Sequence, residues 1–253
     1  MKFEKAVLRR PGKDASKRLT TANLGAPDFD RLLEQHSAYR ETLEELGLEC
    51  MVLGALPGFP DAWFVEDTAI VTTDLAVITR PGAPSRRGET THIEQVLAGM
   101  KPVAHIAAPG TLDGGDVLIA GRRCYVGLSE RTNEAGAEQL AAHLQPSGIE
   151  TSPVRVPSGL HLKSSVNYLG NGRMLMTRDF ATEPAFAGFE RLVLDAGENY
   201  AANTLSINGT LLVPAGYPRI TARLRSLGHP LVTLDMSEAA RMDGGLSCLS
   251  LRF

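Results

Sequence analysis

Ser165-Val-Asn-Tyr-Leu-Gly-Asn-Gly-Arg-Met-Leu-Met, residues 165–176, reads as two short apolar strands turned back on each other at Asn171-Gly172. Both central residues of a type I′ turn need positive φ, which Asn and Gly tolerate, so Asn-Gly between apolar runs predicts a hairpin. The same plan recurs on either side. Thr68-Ala-Ile-Val-Thr and Leu75-Ala-Val-Ile-Thr turn at Thr73-Asp74, and Asp116-Val-Leu-Ile-Ala and Cys124-Tyr-Val-Gly turn at Gly121-Arg122. Thr204-Leu-Ser-Ile and Thr210-Leu-Leu-Val turn at Asn208-Gly209. Helical patterning follows most hairpins. Ile93, Val96 and Leu97 share a face between Arg86 and Gly99, as do Ala137, Leu140 and Ala141 between Arg131 and Leu144. Pro218 to Leu227 opens with a proline, which suits a first helical turn. Asp28 to Leu48 carries Leu32, Leu33, Tyr39, Leu43 and Leu46 at helical spacing.

A hairpin every roughly 40–48 residues is the period of a propeller or a similar ring. The two ends supply a fifth unit. Ala6-Val-Leu-Arg-Arg-Pro-Gly matches Val77-Ile-Thr-Arg-Pro-Gly, a second strand, and Leu246-Ser-Cys-Leu-Ser-Leu-Arg-Phe matches a first strand. Their pairing would close the ring, giving one α/β domain over residues 1–253.

Composition excludes several function classes. The 253 residues carry 26 Lys+Arg against 29 Asp+Glu, a formal net charge of −3, so the basic surplus that drives nucleic-acid binding is missing. Hydrophobic residues at 43% and charged residues at 22% fit a globular chain and not a disordered one. No apolar run approaches the ~20 residues that cross a bilayer, and Met1-Lys-Phe-Glu-Lys lacks the apolar stretch of a secretory signal. Neither nucleic acid nor membrane is an expected partner. Cys50, Cys124 and Cys248 are odd in number and far apart, which points to free thiols and a reducing cytoplasm.

Three features carry chemistry. Cys248 follows two glycines in Arg241-Met-Asp-Gly-Gly-Leu-Ser-Cys, which places it at a strand mouth where backbone turns sharply or lets a ligand approach. Cys124 lies inside a strand and Cys50 ends a helical segment, so both read as inert packing. His36, His92 and His143 fall in helical stretches, His105 in a short strand and His229 at a turn. His161, in Pro157-Ser-Gly-Leu-His-Leu-Lys-Ser, opens the third hairpin and could face Cys248 across a ring as its base. Acidic residues recur at the same place in other units: Phe64-Val-Glu-Asp before the first hairpin, Leu112-Asp-Gly-Gly-Asp before the second. Carboxylates converging on a Cys and a His suit a planar cation, which takes paired carboxylate bonds. Each feature also has a plain alternative, a satisfied core histidine or a turn-capping Asp.

These segments resemble the dimethylarginine dimethylaminohydrolases, members of the guanidino-group-modifying superfamily. The motifs are Phe59-Pro-Asp-Ala-Trp-Phe-Val-Glu-Asp, Arg80-Pro-Gly-Ala-Pro-Ser-Arg-Arg-Gly-Glu, Leu112-Asp-Gly-Gly-Asp-Val-Leu, Ser129-Glu-Arg-Thr-Asn, Gly159-Leu-His-Leu-Lys-Ser, Tyr200-Ala-Ala-Asn and Asp243-Gly-Gly-Leu-Ser-Cys. They span nearly the whole chain in family order. The resemblance implies the pentein fold, a propeller of five αββαβ units. It implies hydrolysis of asymmetric dimethyl- or monomethylarginine to citrulline and dimethylamine or methylamine through a covalent S-alkylthiouronium. Cys248 would be the nucleophile and His161 the general acid/base. Asp113 would hold His161 or the substrate nitrogens, with Asp67, beside Glu66, on the guanidinium. Asp61 and the carbonyls of Leu19 and Met242 would hold the α-amino group, and Arg86 and Arg131 the α-carboxylate. Leu19 lies in Lys17-Arg-Leu-Thr-Thr-Ala-Asn-Leu-Gly, a candidate lid. Where some relatives have Glu, this chain has Asp113, which leaves direct or water-mediated contact with His161 open. The partner implied is a small molecule, a homodimer is compatible, and neither metal nor cofactor is expected, because no second Cys or His stands at zinc-ligand spacing.

Two other readings share the ring. An arginine deiminase, or another guanidine hydrolase, usually has an acidic residue two after the catalytic His, where this chain has Lys163. A non-enzymatic binding module on the same fold would have no reason to keep the Cys, His and acidic set.

Overall fold

The computed structural model describes residues 2–253 apart from Arg18, Thr21 and Ser158. Its strands form five three-stranded sheets. In chain order they are β1 (Lys5–Arg9) and β2 (Glu49–Leu53); β3 (Ala69–Val71), β4 (Ala76–Ile78) and β5 (Val103–His105); and β6 (Val117–Ala120), β7 (Arg123–Leu128) and β8 (Glu150–Arg155). Next come β9 (Val166–Gly170), β10 (Arg173–Met176) and β11 (Glu190–Val193), then β12 (Leu205–Ile207), β13 (Thr210–Pro214) and β14 (Leu231–Leu234), and last β15 (Ser250–Arg252). In every sheet the first strand runs antiparallel to the second, and the third is parallel to the second. The fifth sheet is built from both ends of the chain. β1 pairs antiparallel with β15, Ala6 opposite Arg252 and Leu8 opposite Ser250, and parallel with β2. The expected closure of the ring is therefore observed.

Strand composition follows from burial on both faces. Side chains alternate along a strand, and here alternate residues enter different cores. Val117, Cys124 and Val126 pack with Ile70 and Val77 of the preceding unit, while Leu118 and Tyr125 pack with Val166 and Met174 of the next. Leu169, Leu175, Leu211 and Val213 fill the next interface, and Ile207 and Leu212 meet Ala6 and Leu8. Val7 and Leu251 meet Ala69, Ala76 and Ile78, which returns to the start. Continuous apolar runs, instead of strict alternation, are what a strand covered on both sides requires.

Helices fill most second-to-third strand crossovers. They are α1 (Phe29–Glu45), α2 (Thr90–Ala98), α3 (Glu134–Leu144) and α4 (Pro218–Ser226), with a short α5 (Ser237–Ala240) leading toward the C-terminus. Asp28 caps α1 by accepting the Asp30 and Arg31 N–H groups, and Asn133 caps α3 through Gly136. Several boundaries differ from expectation. α2 begins at Thr90, not Arg86, because Pro84–Glu89 winds as a 3-10 turn around the buried Arg86 side chain. α3 begins at Glu134 because Asn133 takes the cap position. Cys50 sits in β2 instead of ending a helix. The C-terminal stretch is a 3-10 turn over Leu246–Leu249 before β15, so Cys248 precedes the strand. Among the described residues, the crossover from β10 to β11 has two 3-10 turns and no α-helix.

The hairpin turns bear out the positive-φ argument: Asn171 and Gly172 have φ of 50° and 73°, and Asn208 and Gly209 have 48° and 92°. Asn208 does more than turn. Its Oδ1 accepts the Phe3 N–H at 2.8 Å, and its Nδ2 donates to the carbonyls of Phe3 at 2.9 Å and Leu46 at 3.1 Å, clasping the fourth hairpin to the closing sheet. Asn208→Ala removes all three bonds and puts a Cβ-bearing residue without a polar side chain in the left-handed region. Urea unfolding should show a loss of about 2–3 kcal/mol. Asn208→Gly keeps the turn conformation but also removes the three bonds, so it should lose less than Asn208→Ala while still falling below the native protein; an Asn208→Gly protein as stable as the native one would show that the clasp contributes nothing.

Candidate active site

A 3-10 turn stands just before the inner strand of every unit: Val65–Thr68, Gly114–Asp116, Leu162–Ser164, Asn199–Ala202 and Leu246–Leu249. These turns are tied one to the next. The Gly115 N–H donates to Asp67 Oδ1 at 2.8 Å and the Leu162 N–H to Asp116 Oδ1 at 2.9 Å. Asn203 Nδ2 donates to the Lys163 carbonyl at 3.0 Å, the Ser247 N–H to Asn203 Oδ1 at 2.9 Å, and Arg252 Nη2 to Glu66 Oε1 at 2.8 Å. The repeat therefore delivers one residue set per unit to the axis.

Close approach explains the glycine pairs. A Cβ on Gly115 would lie 2.8 Å from the His161 ring and 2.9 Å from Asp67 Oδ1, and one on Gly114 would collide with the Glu66 carbonyl. A Cβ on Gly244 would meet the Phe64 ring, and one on Gly245 the Asn203 side chain. Glycine is needed in Asp-Gly-Gly-Asp and Asp-Gly-Gly-Leu because neighbouring units press against these turns.

His161 is 5% exposed and sits among three carboxylates. Its Nδ1 is 3.3 Å from Asp116 Oδ2; its Nε2 is 3.8 Å from Asp67 Oδ1 and 3.9 Å from Asp113 Oδ2. Burial opposes the charged ring, but Asp67, Asp116 and Asp113 raise its pKa to about 9. Asp67 is held the other way. Burial works to raise it, yet His161, Arg86 and the Gly115 N–H bring it down to about 2. Arg86 Nη1 donates to Asp67 Oδ2 at 2.5 Å, while its other nitrogens reach Glu89 and the carbonyls of Asp61 and Phe64. Asp113 is pushed up to about 6, by burial and then by the Asp67 charge. Its Oδ1 accepts the Gly82 N–H, and its Oδ2 is buried without a hydrogen bond. Contact with His161 at 3.9 Å is beyond a direct hydrogen bond, which answers the question the sequence left open.

Cys248 lies on the turn beside Asp67 and Glu66, with its surface partly open. Burial first, then the charges of Glu66 and Asp67, push its thiol up to about 12. Glu66 faces the axis, where Oε1 meets Lys163 Nζ at 2.7 Å as well as Arg252, and Oε2 has no hydrogen bond. Below these residues the inner strands of all five units line a cavity of about 500 Å³. Asp61 Oδ2 accepts the Leu19 N–H at 3.2 Å, and burial raises its pKa. Met242 is buried one residue before Asp243, whose Oδ2 accepts from the Thr20 hydroxyl at 2.9 Å and the Ala22 N–H at 3.3 Å. The stretch that the resemblance makes a candidate lid thus bonds to Asp61 and Asp243, while its Arg18 and Thr21, like Ser158 before His161, fall outside the described residues. Arg131 Nη1 is 4.0 Å from Asp113 Oδ2.

Short contacts and charges around Asp67 link Glu66, Arg86, Asp113, His161 and Cys248, with Asp61 reached through Arg86, Leu19 through Asp61, Arg131 through Asp113, and Met242 packed in the same apolar cluster as Cys248; two expectations are adjusted. Arg86 is 5% exposed with its donors engaged internally, so it stands behind Asp67, whereas the Arg131 side chain keeps 19% of its surface. Asp116, quoted in its motif but given no role, turns out to be the carboxylate facing His161 Nδ1; its place three residues after Asp113 was the available signal. Asp67, Asp113 and His161 offer three ligand atoms within 4.8 Å of one another. Arg86 and Gly115 already occupy both oxygens of Asp67, and a protonated imidazole has no lone pair to give. As arranged, the trio would have to exchange the partners of Asp67 and the proton of His161 before it could coordinate an ion.

Five sheets around a Cys–His–carboxylate pocket define the class, a pentein. The family described as arginine deiminase matches residues 55–154. The chain is 40% identical to the N(G),N(G)-dimethylarginine dimethylaminohydrolase of Pseudomonas aeruginosa over 99% of its length and all of the relative's. It is 38% identical to the enzyme of the same name from Streptomyces coelicolor, over 100% of this chain and 98% of that one. A solved structure of the Pseudomonas enzyme, a serine-for-cysteine mutant complexed with citrulline, superposes with a TM-score of 0.98 over both whole chains. The N-terminal domain of a cyanobacterial arginine dihydrolase, 17% identical with a TM-score of 0.88 over 98% of this chain and 97% of that one, shares the fold. The chain belongs to the dimethylarginine dimethylaminohydrolase family.

The charged ring has a consequence for stability. A histidine whose folded pKa is raised from 6.5 to about 9 stabilises fully below pH 6.5, and that contribution is lost as pH rises through 9. Unfolding free energy measured between pH 6.5 and 9 should fall with a slope that His161→Gln flattens. An unchanged slope in the variant would place the charge elsewhere.

Proposed function

We propose that the protein hydrolyses Nω-methylated L-arginine, asymmetric dimethyl- or monomethylarginine, to L-citrulline and dimethylamine or methylamine. The carrying observation is the full-length identity to enzymes of that name together with a thiol, a charged imidazole and an ionised carboxylate in one pocket.

Charge drives the cycle. In the resting pocket the thiol stays protonated because burial disfavours a thiolate, which would also add to the charges of Glu66 and Asp67. A guanidinium seated on Asp67 offsets that repulsion, so substrate binding itself promotes loss of the thiol proton to solvent. The Cys248 sulfur then forms a bond to the central guanidinium carbon. His161 gives its Nε2 proton to the departing amine as the C–N bond breaks, which leaves an S-alkylthiouronium cation and a neutral imidazole. The imidazole next takes a proton from water as the oxygen adds to the same carbon. The C–S bond then breaks as the added hydroxyl gives its remaining proton to solvent, and the neutral ureido product leaves with the thiolate restored and His161 charged again. Asp61 with the Leu19 and Met242 carbonyls would hold the α-amino group, and Arg131, whose side chain is the more exposed of the two arginines, the carboxylate.

Lys163 favours a methylated substrate over arginine. It neutralises Glu66 at 2.7 Å, where a deiminase usually has a further acid for the second terminal nitrogen. Without that acid, an N-methyl group leaves no buried acceptor unpaired. Free thiols at all three cysteines suit a reducing compartment, and we place the protein in the cytoplasm, as a monomer or homodimer. No helix among the described residues is long and apolar enough to cross a membrane.

A panel of arginine, monomethyl-, asymmetric dimethyl- and symmetric dimethylarginine and agmatine, read as ureido product, should show asymmetric dimethyl- or monomethylarginine turned over fastest. Citrulline formed much faster from arginine would overturn the assignment. Cys248→Ser should lower turnover by at least about 10³-fold with the circular dichroism spectrum unchanged; retained activity would remove Cys248 from the mechanism.

A further inference from the structure

Asp116 is 0% exposed, and every bond it makes touches something the reaction uses. Oδ1 accepts the Leu162 N–H at 2.9 Å, next to His161. Oδ2 accepts the hydroxyls of Ser129 and Thr132, each at 2.7 Å, and lies 3.3 Å from His161 Nδ1. Those hydroxyls are themselves acceptors. Ser129 Oγ takes the N–H groups of Arg131 at 3.0 Å and Thr132 at 3.3 Å, and Thr132 Oγ1 takes that of Asp113 at 3.1 Å. One buried carboxylate therefore links the imidazole, the backbone carrying Arg131 and the backbone carrying Asp113.

We propose that Asp116 is the positioning residue of this site: it holds the proton of His161 on Nδ1, so that Nε2 faces the substrate, and through Ser129 and Thr132 it sets the Arg131 segment at the carboxylate end. The proposal rests on the guanidine-hydrolysis reading above. Asp113 is unsuited to the task, because one oxygen serves Gly82 and the other stands 3.9 Å from Nε2, on the reacting side of the ring. A histidine bonded at Nδ1 to a fixed carboxylate has one tautomer and one orientation, and its cation is stabilised. The groups facing His161 are the carboxylates of Asp67, Asp113 and Asp116, with Arg86 beyond Asp67 and Arg131 beyond Asp113; Lys163, two residues on, is paired with Glu66.

The test compares Asp116→Asn with the native protein by imidazole NMR titration of His161 in the resting enzyme and by the pH profile of kcat and KM. Loss of the charge should lower the His161 midpoint by about one unit or more and carry the alkaline limb of kcat down with it. Turnover should drop on the order of 10²-fold, and KM should rise through the Arg131 segment. An unmoved midpoint and limb in a folded Asp116→Asn protein would overturn the proposal, whatever its activity, because a purely structural role predicts that result. If Asp116→Asn does not fold, Ser129→Ala removes one of the donors that compete with His161 Nδ1 for Oδ2 and should move the His161 midpoint up; an unmoved midpoint there overturns the proposal equally. A native protein that releases no ureido product from any guanidine would defeat the functional reading instead, and the resting-enzyme titration separates the two failures.

Discussion

Asp67 is the constraint on which the site turns. A buried carboxylate would ordinarily take up a proton, but Arg86, the Gly115 N–H and the charge of His161 hold it down to about 2. Burial and the surrounding fixed charges, Asp67 among them, then set the neighbouring groups. The imidazole gains a proton it keeps to about 9, the nearby Asp113 is pushed up to about 6, and the thiol is pushed up to about 12. The pocket is thereby poised with its nucleophile neutral and its acid charged, and an incoming cation is the one kind of ligand that reverses the first without disturbing the second.

The ring geometry makes this arrangement possible. Groups separated by long stretches of chain meet because each unit ends its approach to the axis in the same 3-10 turn, and each turn bonds to the next. Gly114 and Gly115 let two of these turns approach without side chains between them, which brings His161 onto Asp67 from a different unit. Closure matters as much. Cys248 reaches the pocket because β15 is the inner strand of a sheet begun by β1, and the Asn208 clasp fastens that sheet to its neighbour. The nucleophile's placement is thus a property of the whole circle, and damage far from the pocket at the β1–β15 seam would be felt there.

Below the pocket, Glu66, Lys163 and Arg252 form a compact charged floor above the axial cavity. Their pairing holds a second carboxylate beside the thiol while giving it partners on the other side. A buried ion pair adds little net stability because desolvation offsets attraction. Its value here is the field it leaves at Cys248, where the Glu66 charge helps hold the proton.

Much of this was written locally. Tight turns, short apolar strands and a recurring period announced four hairpin units, and matching end segments announced a fifth that closes the chain on itself, because turn chemistry and burial act over a few residues at a time. Cys248, His161 and the acidic clusters were likewise legible from their place in the repeat. What local pattern could not supply was the direction of side chains across unit boundaries. Arg86 stood in a helical pattern but is turned inward by a 3-10 turn to neutralise Asp67, Asp116 looked like a motif acid and became the partner of His161 Nδ1, and Lys163 entered a charged floor. The charge of His161 and the balance around it depend on side chains from different units meeting within hydrogen-bond or ion-pair reach, where a shared, water-poor space makes their interactions strong. The sequence by itself determined the hairpins, the closure and the chemical kinds of residue available; the tertiary structure decided which charge faces which, because only the closed ring brings them within reach.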